Sequence, residues 1–292
     1  MRRVRARTLR LLQIATTLLA VGALLPPDAA GGSQGPTPEQ FEDALPRGAT
    51  LTGREIYDRF LDNKFRRSFQ RLRVVSRDPG GSEQSTTFSL SLEDARDAQR
   101  RARGGVKARI LIEVSEPFDL RHTQYLIIAK DPGPDDEFLY QPSLRRARRV
   151  GIKQLPLMGT DYSFDDVAYH DIEDARYVRL PDEVIDGTPV YVIEAFVKDT
   201  LEAEFHRTIS YLEKDHYVPL RIRYWDAYGV EVKELSADPA TIRAFGDTWV
   251  ATPYTMRNLR QRTSSVLHID DLDTEPDFAA NLFSVSRMNR GK

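Results

Sequence analysis

The sequence predicts a mainly β protein: one large antiparallel sheet with a few helices. Three observations carry this. Apolar residues alternate with period two along Thr86–Glu93 and Val106–Ser115, the mark of strands with one buried face. Further strand-like runs recur near 123–130, 136–141, 175–181, 188–198, 203–213, 217–226, 230–236 and 247–260, several parted by short turn sequences such as Asp186-Gly187, Tyr228-Gly229 and Gly246-Asp247. Helical periodicity does not follow each strand, so a parallel βαβ sheet is not expected.

The chain of 292 residues is 40% hydrophobic, too apolar for a disordered chain and too polar for a polytopic membrane protein. It has no cysteine, which removes disulfides, thiolate ligands, a cysteine nucleophile and a lipidated N-terminal Cys. The net charge of −2 hides an asymmetry. Arg2, Arg3, Arg5, Arg7 and Arg10 precede an uncharged run from Leu11 to Leu25, and Pro26, Pro27 and the small residues Ala29–Gly32 follow. This pattern predicts a cleaved signal peptide over residues 1–30 and export to the periplasm. Its removal takes away five arginines and one aspartate, leaving a mature chain of charge −6.

Residues 31–50, rich in Gly and Pro, predict a flexible linker, and residues 51–292 one domain. Thr52 and Glu55 have the spacing of a capping box, and Ile56, Phe60 and Leu61 continue at helical spacing, so a helix is expected over 53–67. Between 93 and 105, acids come first, arginines later and two glycines last, which predicts a helical insertion. A short helix from Phe164 to Tyr169, capped by Asp161 or Ser163, and a last helix near Pro276 complete the elements. So few helices cannot cover so many strands, so the sheet must curl. A closed or half-closed barrel under a helical lid leaves either an apolar cavity or an interior filled by side chains.

The densest signal lies between Val114 and Val167. Phe138-Leu-Tyr-Gln-Pro142 ends a strand, with Phe138 and Tyr140 on one face; the basic run Arg145, Arg146, Arg148, Arg149 follows, then Met158-Gly-Thr-Asp-Tyr-Ser-Phe-Asp-Asp166. This order resembles the outer-membrane lipoprotein-sorting-like family, relatives of the periplasmic carriers LolA and LolB. Thr160 stands where that family has Ser, and Phe138 where it often has Trp. The resemblance implies a single antiparallel sheet curled into an unclosed barrel with a helical lid, an interior for acyl chains, no catalytic centre and no cofactor. It also implies a membrane transporter of the resistance–nodulation–division type as partner. Phe138, Tyr140, Met158, Tyr162 and Phe164 are the lipid-cavity candidates; Arg145, Arg146, Arg148 and Arg149 are candidates for contact with lipid headgroups or a partner.

Other chemistries find little support. The five histidines show no metal-binding spacing, and no nucleophile elbow or phosphate-binding loop occurs. Asp165, Asp166, His170 and Asp171 are the only local cluster with acid–base potential. The arginine run lacks the interleaved aromatics of a nucleic-acid platform, and export removes that partner. The expected function is a periplasmic, non-enzymatic carrier of lipid or lipoprotein acyl chains. An envelope-stress sensor on the same fold is the alternative.

Overall fold

The computed structural model describes residues 45–151, 155–167, 170–198 and 204–289; the expected signal peptide and most of the linker lie outside them. The first element is helix α1 (Gly53–Asp62), opened by the expected capping box: the Thr52 hydroxyl accepts from the Glu55 amide at 3.2 Å, and the Glu55 carboxylate accepts from the Thr52 amide at 2.7 Å. The helix stops at Asn63, earlier than the period suggested, because residues from Arg67 on pair as a strand.

Six strands follow as a meander: β1 (Arg67–Arg77), β2 (Glu83–Asp94), β3 (Val106–Glu116), β4 (Gln124–Lys130), β5 (Asp136–Gln141) and β6 (Arg146–Arg149). A second meander comprises β7 (Ala175–Ile185), β8 (Thr188–Val197), β9 (Arg207–Glu213), β10 (Pro219–Trp225) and β11 (Glu231–Ala237). A separate two-stranded ribbon, β12 (Ile242–Phe245) with β13 (Thr248–Ala251), precedes β14 (Tyr254–Asn258) and β15 (Thr263–Asp273). β14 and β15 join the meanders into one antiparallel sheet of 13 strands, ordered β6-β5-β4-β3-β2-β1-β15-β14-β11-β10-β9-β8-β7. β6 and β7 remain as free edges, so the barrel is unclosed.

The sheet is strongly curled. Phe164 packs on Tyr125 of β4, with ring centroids 4.5 Å apart, and two residues later Asp166 meets Lys233 of β11 at 2.7 Å. On a flat sheet those strands, six steps apart, would be separated by roughly 29 Å. The register places Ala195, Tyr224 and Lys233 on the same inner face. α1 covers that face over β7–β9, through Ile56 against Ala175, Tyr177, Ile193 and Leu212.

Several local expectations are corrected. The segment 93–105 is not helical: β2 runs through Asp94, and Asp97 accepts the amides of Gln99 and Arg101 at 2.9 Å each. Aspartates that bond nearby amides stabilise turns in place of helix, so the favourable charge order did not suffice. The expected helix at 164 is a single 3₁₀ turn, Asp165–Val167; residues 168 and 169 lie outside the described residues. The last helix, α2 (Val285–Met288), starts nine residues later than Pro276. The run 247–260 is two strands interrupted by Thr252 and Pro253, proline having no amide for a ladder.

Candidate functional site

The interior of the half barrel is filled by the segment Leu155–Val167, a plug built on a tight reversal. The Leu157 amide donates to the Tyr162 carbonyl at 2.6 Å, and the Phe164 amide to the Leu155 carbonyl at 3.2 Å. Between them Met158 and Gly159 are both left-handed, with φ of 53° and 77°, and the glycine makes this reversal inexpensive. The turn drives Leu157, Met158, Tyr162 and Phe164 into one apolar cluster with Leu72, Val74, Phe88, Ile110, Ile112 and Val114 of the inner sheet face. Leu157 and Phe164 are almost completely buried.

Polar clasps hold the plug. The Asp161 carboxylate accepts from the Ser265 hydroxyl at 2.6 Å and from the Thr263 hydroxyl, while its amide donates to Ser265 Oγ at 3.0 Å. The Tyr162 hydroxyl donates to the Tyr254 carbonyl at 3.0 Å, and burial raises its pKa well above the ordinary phenol value. Asp166 accepts from the Ser163 amide at 2.7 Å and from Lys233 Nζ at 2.7 Å. The Lys233 and Asp166 side chains are only 5% and 11% exposed, and the ammonium lies over Phe205 and Tyr224, 5.0 and 5.6 Å from the ring centroids. Glu204 stands close to this pair; burial pushes its carboxyl above the usual range, with Lys233 pulling the other way, and its Oε2 is buried without a hydrogen-bond partner.

The sequence candidates therefore divide between two faces. Met158, Tyr162 and Phe164 meet in the interior. Phe138 and Tyr140 do share a strand face, but it is the other one: Phe138 pairs with Leu126, and both cluster with Leu111, Met288, Leu282 and Phe283 under the C-terminal segment. Inner-face neighbours Ile110 and Ile112 alternate with Leu111 on β3, which fixes the assignment. Lys233 and Glu204 escaped the sequence reading, because a lone Lys in an alternating strand and a lone Glu beside a loop carry no local signal of burial.

The four arginines occupy an edge. Arg145 closes a 3₁₀ turn in the left-handed region, and Arg146–Arg149 form β6, the outermost strand. Arg148 donates to Gln141 at 3.0 Å and Arg149 pairs with Asp136. Charge along an edge strand opposes pairing with another chain. The Ala147 amide is met by the Asn289 side chain at 2.7 Å, so α2 also guards this edge. The acid–base cluster disperses: Asp166 binds Lys233, Asp171 caps the turn Ile172–Asp174, and His170 reaches the Asp165 carbonyl at 2.9 Å.

The profile of a family described as "-like: Uncharacterized protein" matches residues 107–290. The chain belongs to that family. No curated protein matches it in sequence. Among solved structures it is similar to a putative outer membrane lipoprotein-sorting protein domain from Vibrio parahaemolyticus: 24% identity, 82% of this chain and 98% of that one, TM-score 0.71. It is also similar to a DUF1329 family protein from Desulfovibrio piger, at 21% identity over 81% and 97% of the two chains, TM-score 0.72. A LolA superfamily protein from Nitrosomonas europaea follows, at 17% identity over 80% and 98%, TM-score 0.63. The resemblance read from residues 114–167 thus holds at the level of fold: a LolA-like unclosed barrel.

Proposed function

We propose that the protein is a periplasmic carrier or binding module for the acyl chains of a lipid or lipoprotein. It would work with an inner-membrane transporter of the resistance–nodulation–division type in traffic to the outer membrane. The observation that carries this reading is the plug: an apolar segment fills the inner face of a lipoprotein-sorting-like fold but is fastened there through polar groups. Apolar contacts keep the interior dry, while the carboxylates of Asp161 and Asp166 can exchange their partners for water when the plug lifts. An acyl chain would then take the place of Leu157, Met158, Tyr162 and Phe164 against β1–β4. Burial contributes about 0.8 kcal/mol per methylene, which retains a long chain but does not by itself lift a lipid out of a bilayer, hence the transporter. The fold provides binding and shelter, and no reaction is assigned to it. Export through cleavage of residues 1–30 would place residues 51–292 in the periplasm.

The test is native purification after export, with mass spectrometry of extracted ligands and titration with a fluorescent fatty acid. Acyl ligands should copurify, and Lys233→Met, which unfastens the plug, should raise the affinity for the probe. A consistently empty protein that neither binds the probe nor moves lipid between vesicles sinks the carrier reading.

A further inference from the structure

The two ends of the half barrel differ. The hairpin turns of β5–β6, β3–β4, β1–β2, β14–β15 and β10–β11 all fall at one end, as the antiparallel registers require. Of the eight exposed large apolar side chains among the described residues, five sit on this rim: Leu144, Phe118, Leu259, Tyr228 and Val230. On the opposite rim Val184 lies beside the β7–β8 turn. Phe118 and Tyr228 are 81% and 89% exposed, each at the tip of its turn. At the middle of the same rim, between the turns 78–82 and 259–262, an open depression of about 430 Å³ is lined by Arg77, Arg257 and Arg262. Arg77 and Arg257 each have a glutamate partner, whereas Arg262, like Arg145 and Arg146 at the β5–β6 turn toward the sheet edge, has no ion pair among the described residues. The one acid in the depression, Asp78, is engaged by the Ser82 amide at 2.9 Å.

We propose that this rim docks on an anionic bilayer, with a lipid phosphate in the arginine depression and Phe118, Leu259 and Tyr228 entering the interface on either side. Apolar tips spaced roughly 10 to 20 Å apart along the rim are single protrusions, which suits an interface that is fluid more than a folded partner with fixed pockets. Aromatic rings and arginines are the residues that settle at the boundary of headgroup and chain. The rim also adjoins the plug: Thr263, which clasps Asp161, follows Arg262 directly. Docking would thus bring the bilayer to the mouth that the plug closes. The proposal rests on the carrier reading for what is exchanged there, but docking is measured apart from cargo.

The experiment is flotation of the mature chain with vesicles of phosphatidylcholine, with and without phosphatidylglycerol. Binding should require the anionic lipid and fall with salt. Arg77→Gln with Arg262→Asn, the asparagine chosen because Arg262 has φ 58°, should weaken it about tenfold or more. Phe118→Ser with Tyr228→Ser should do the same, while Val184→Ser on the other rim should leave it unchanged, all with unaltered circular dichroism. Wild-type protein that ignores anionic vesicles, or rim variants that bind as well as wild type, would overturn the proposal. Docking by a protein that never holds acyl cargo would leave it standing and sink the carrier reading; acyl cargo in a protein that ignores vesicles would do the reverse.

Discussion

Helix α1 and the plug 155–167 lie against the same inner face of the sheet, α1 over β7–β9 and the plug over β1–β4, β11, β14 and β15. Their attachment differs in kind. α1 is seated at its centre by apolar contact, where Ile56 is fully buried and Tyr57 stacks on Tyr177 at 4.4 Å, while its ion pair from Arg54 to Glu173 and the bond from Arg59 to the Tyr217 hydroxyl at 2.7 Å lie at its exposed margin. Burial pushes the Tyr57 hydroxyl up to about 12. At its first turn Gly53 meets the β7 backbone so closely that a Cβ would come within 2.8 Å of the Arg179 nitrogen. Arg100, from the loop that was expected to be helical, binds Asp58 and Asp62 on its outer side. The plug has an apolar tip as well, but its position is held by Asp161, Tyr162 and Asp166. The cover whose polar contacts lie at its exposed margin stays seated by its apolar centre; the one fastened by a buried ion pair and hydroxyls can be released when those partners are exchanged.

The largest effect should come from the plug. Lys233→Met leaves Asp166 buried and unpaired and is expected to cost about 3–5 kcal/mol, whereas Asp166→Asn with Lys233→Met should recover most of it. Equal losses in denaturant titrations of the single and double variants would break the view of this pair as a clasp. Ile56→Ala under α1 should cost about 2–5 kcal/mol with no partner change able to recover it. Gly53→Ala should cost about 1–3 kcal/mol, because backbone of β7 cannot yield as a side-chain tip would; a neutral Tm would show that α1 is less firmly seated than its packing implies. Amide exchange should separate the covers directly: Phe164 should exchange through local opening, Phe60 only with the sheet beneath it, and identical protection would contradict the comparison.

Glu204 provides the finest test. Its raised carboxyl pKa means that the folded state holds a proton more tightly than the unfolded chain, so its contribution is fully present below the unfolded value near 4.5 and is lost as pH rises through the folded value. Glu204→Gln should therefore stabilise the protein at neutral pH, with the gain vanishing in acid. A pH-independent difference in melting would assign the effect to something other than this buried carboxyl.

Alternation in β2 and β3, the turn dipeptides and the Thr52–Glu55 capping box were readable in the chain because each is set by neighbours within a few residues. Met158, Tyr162 and Phe164 were readable as candidates within a larger group, and the local reversal turns them, with Leu157, to the same side while Leu155 stays exposed. Strands β1 and β15 were not read, their charged outer residues masking the period, nor was the splitting of Phe138 and Tyr140 from the other candidates. Strand alternation tells which residues share a face, but which face is inside depends on the direction in which 13 strands curl. In the same way the arginines at 145–149 are adjacent in sequence, yet Arg77, Arg257 and Arg262 meet only because β1, β14 and β15 are neighbours. Composition and local period determined the fold class, and the segment from Met158 to Phe164 stood out only as expected cavity lining. Long-range strand pairing, which no short window contains, decided what the plug covers, where Lys233 and Asp166 meet, and which end of the barrel carries the exposed rim.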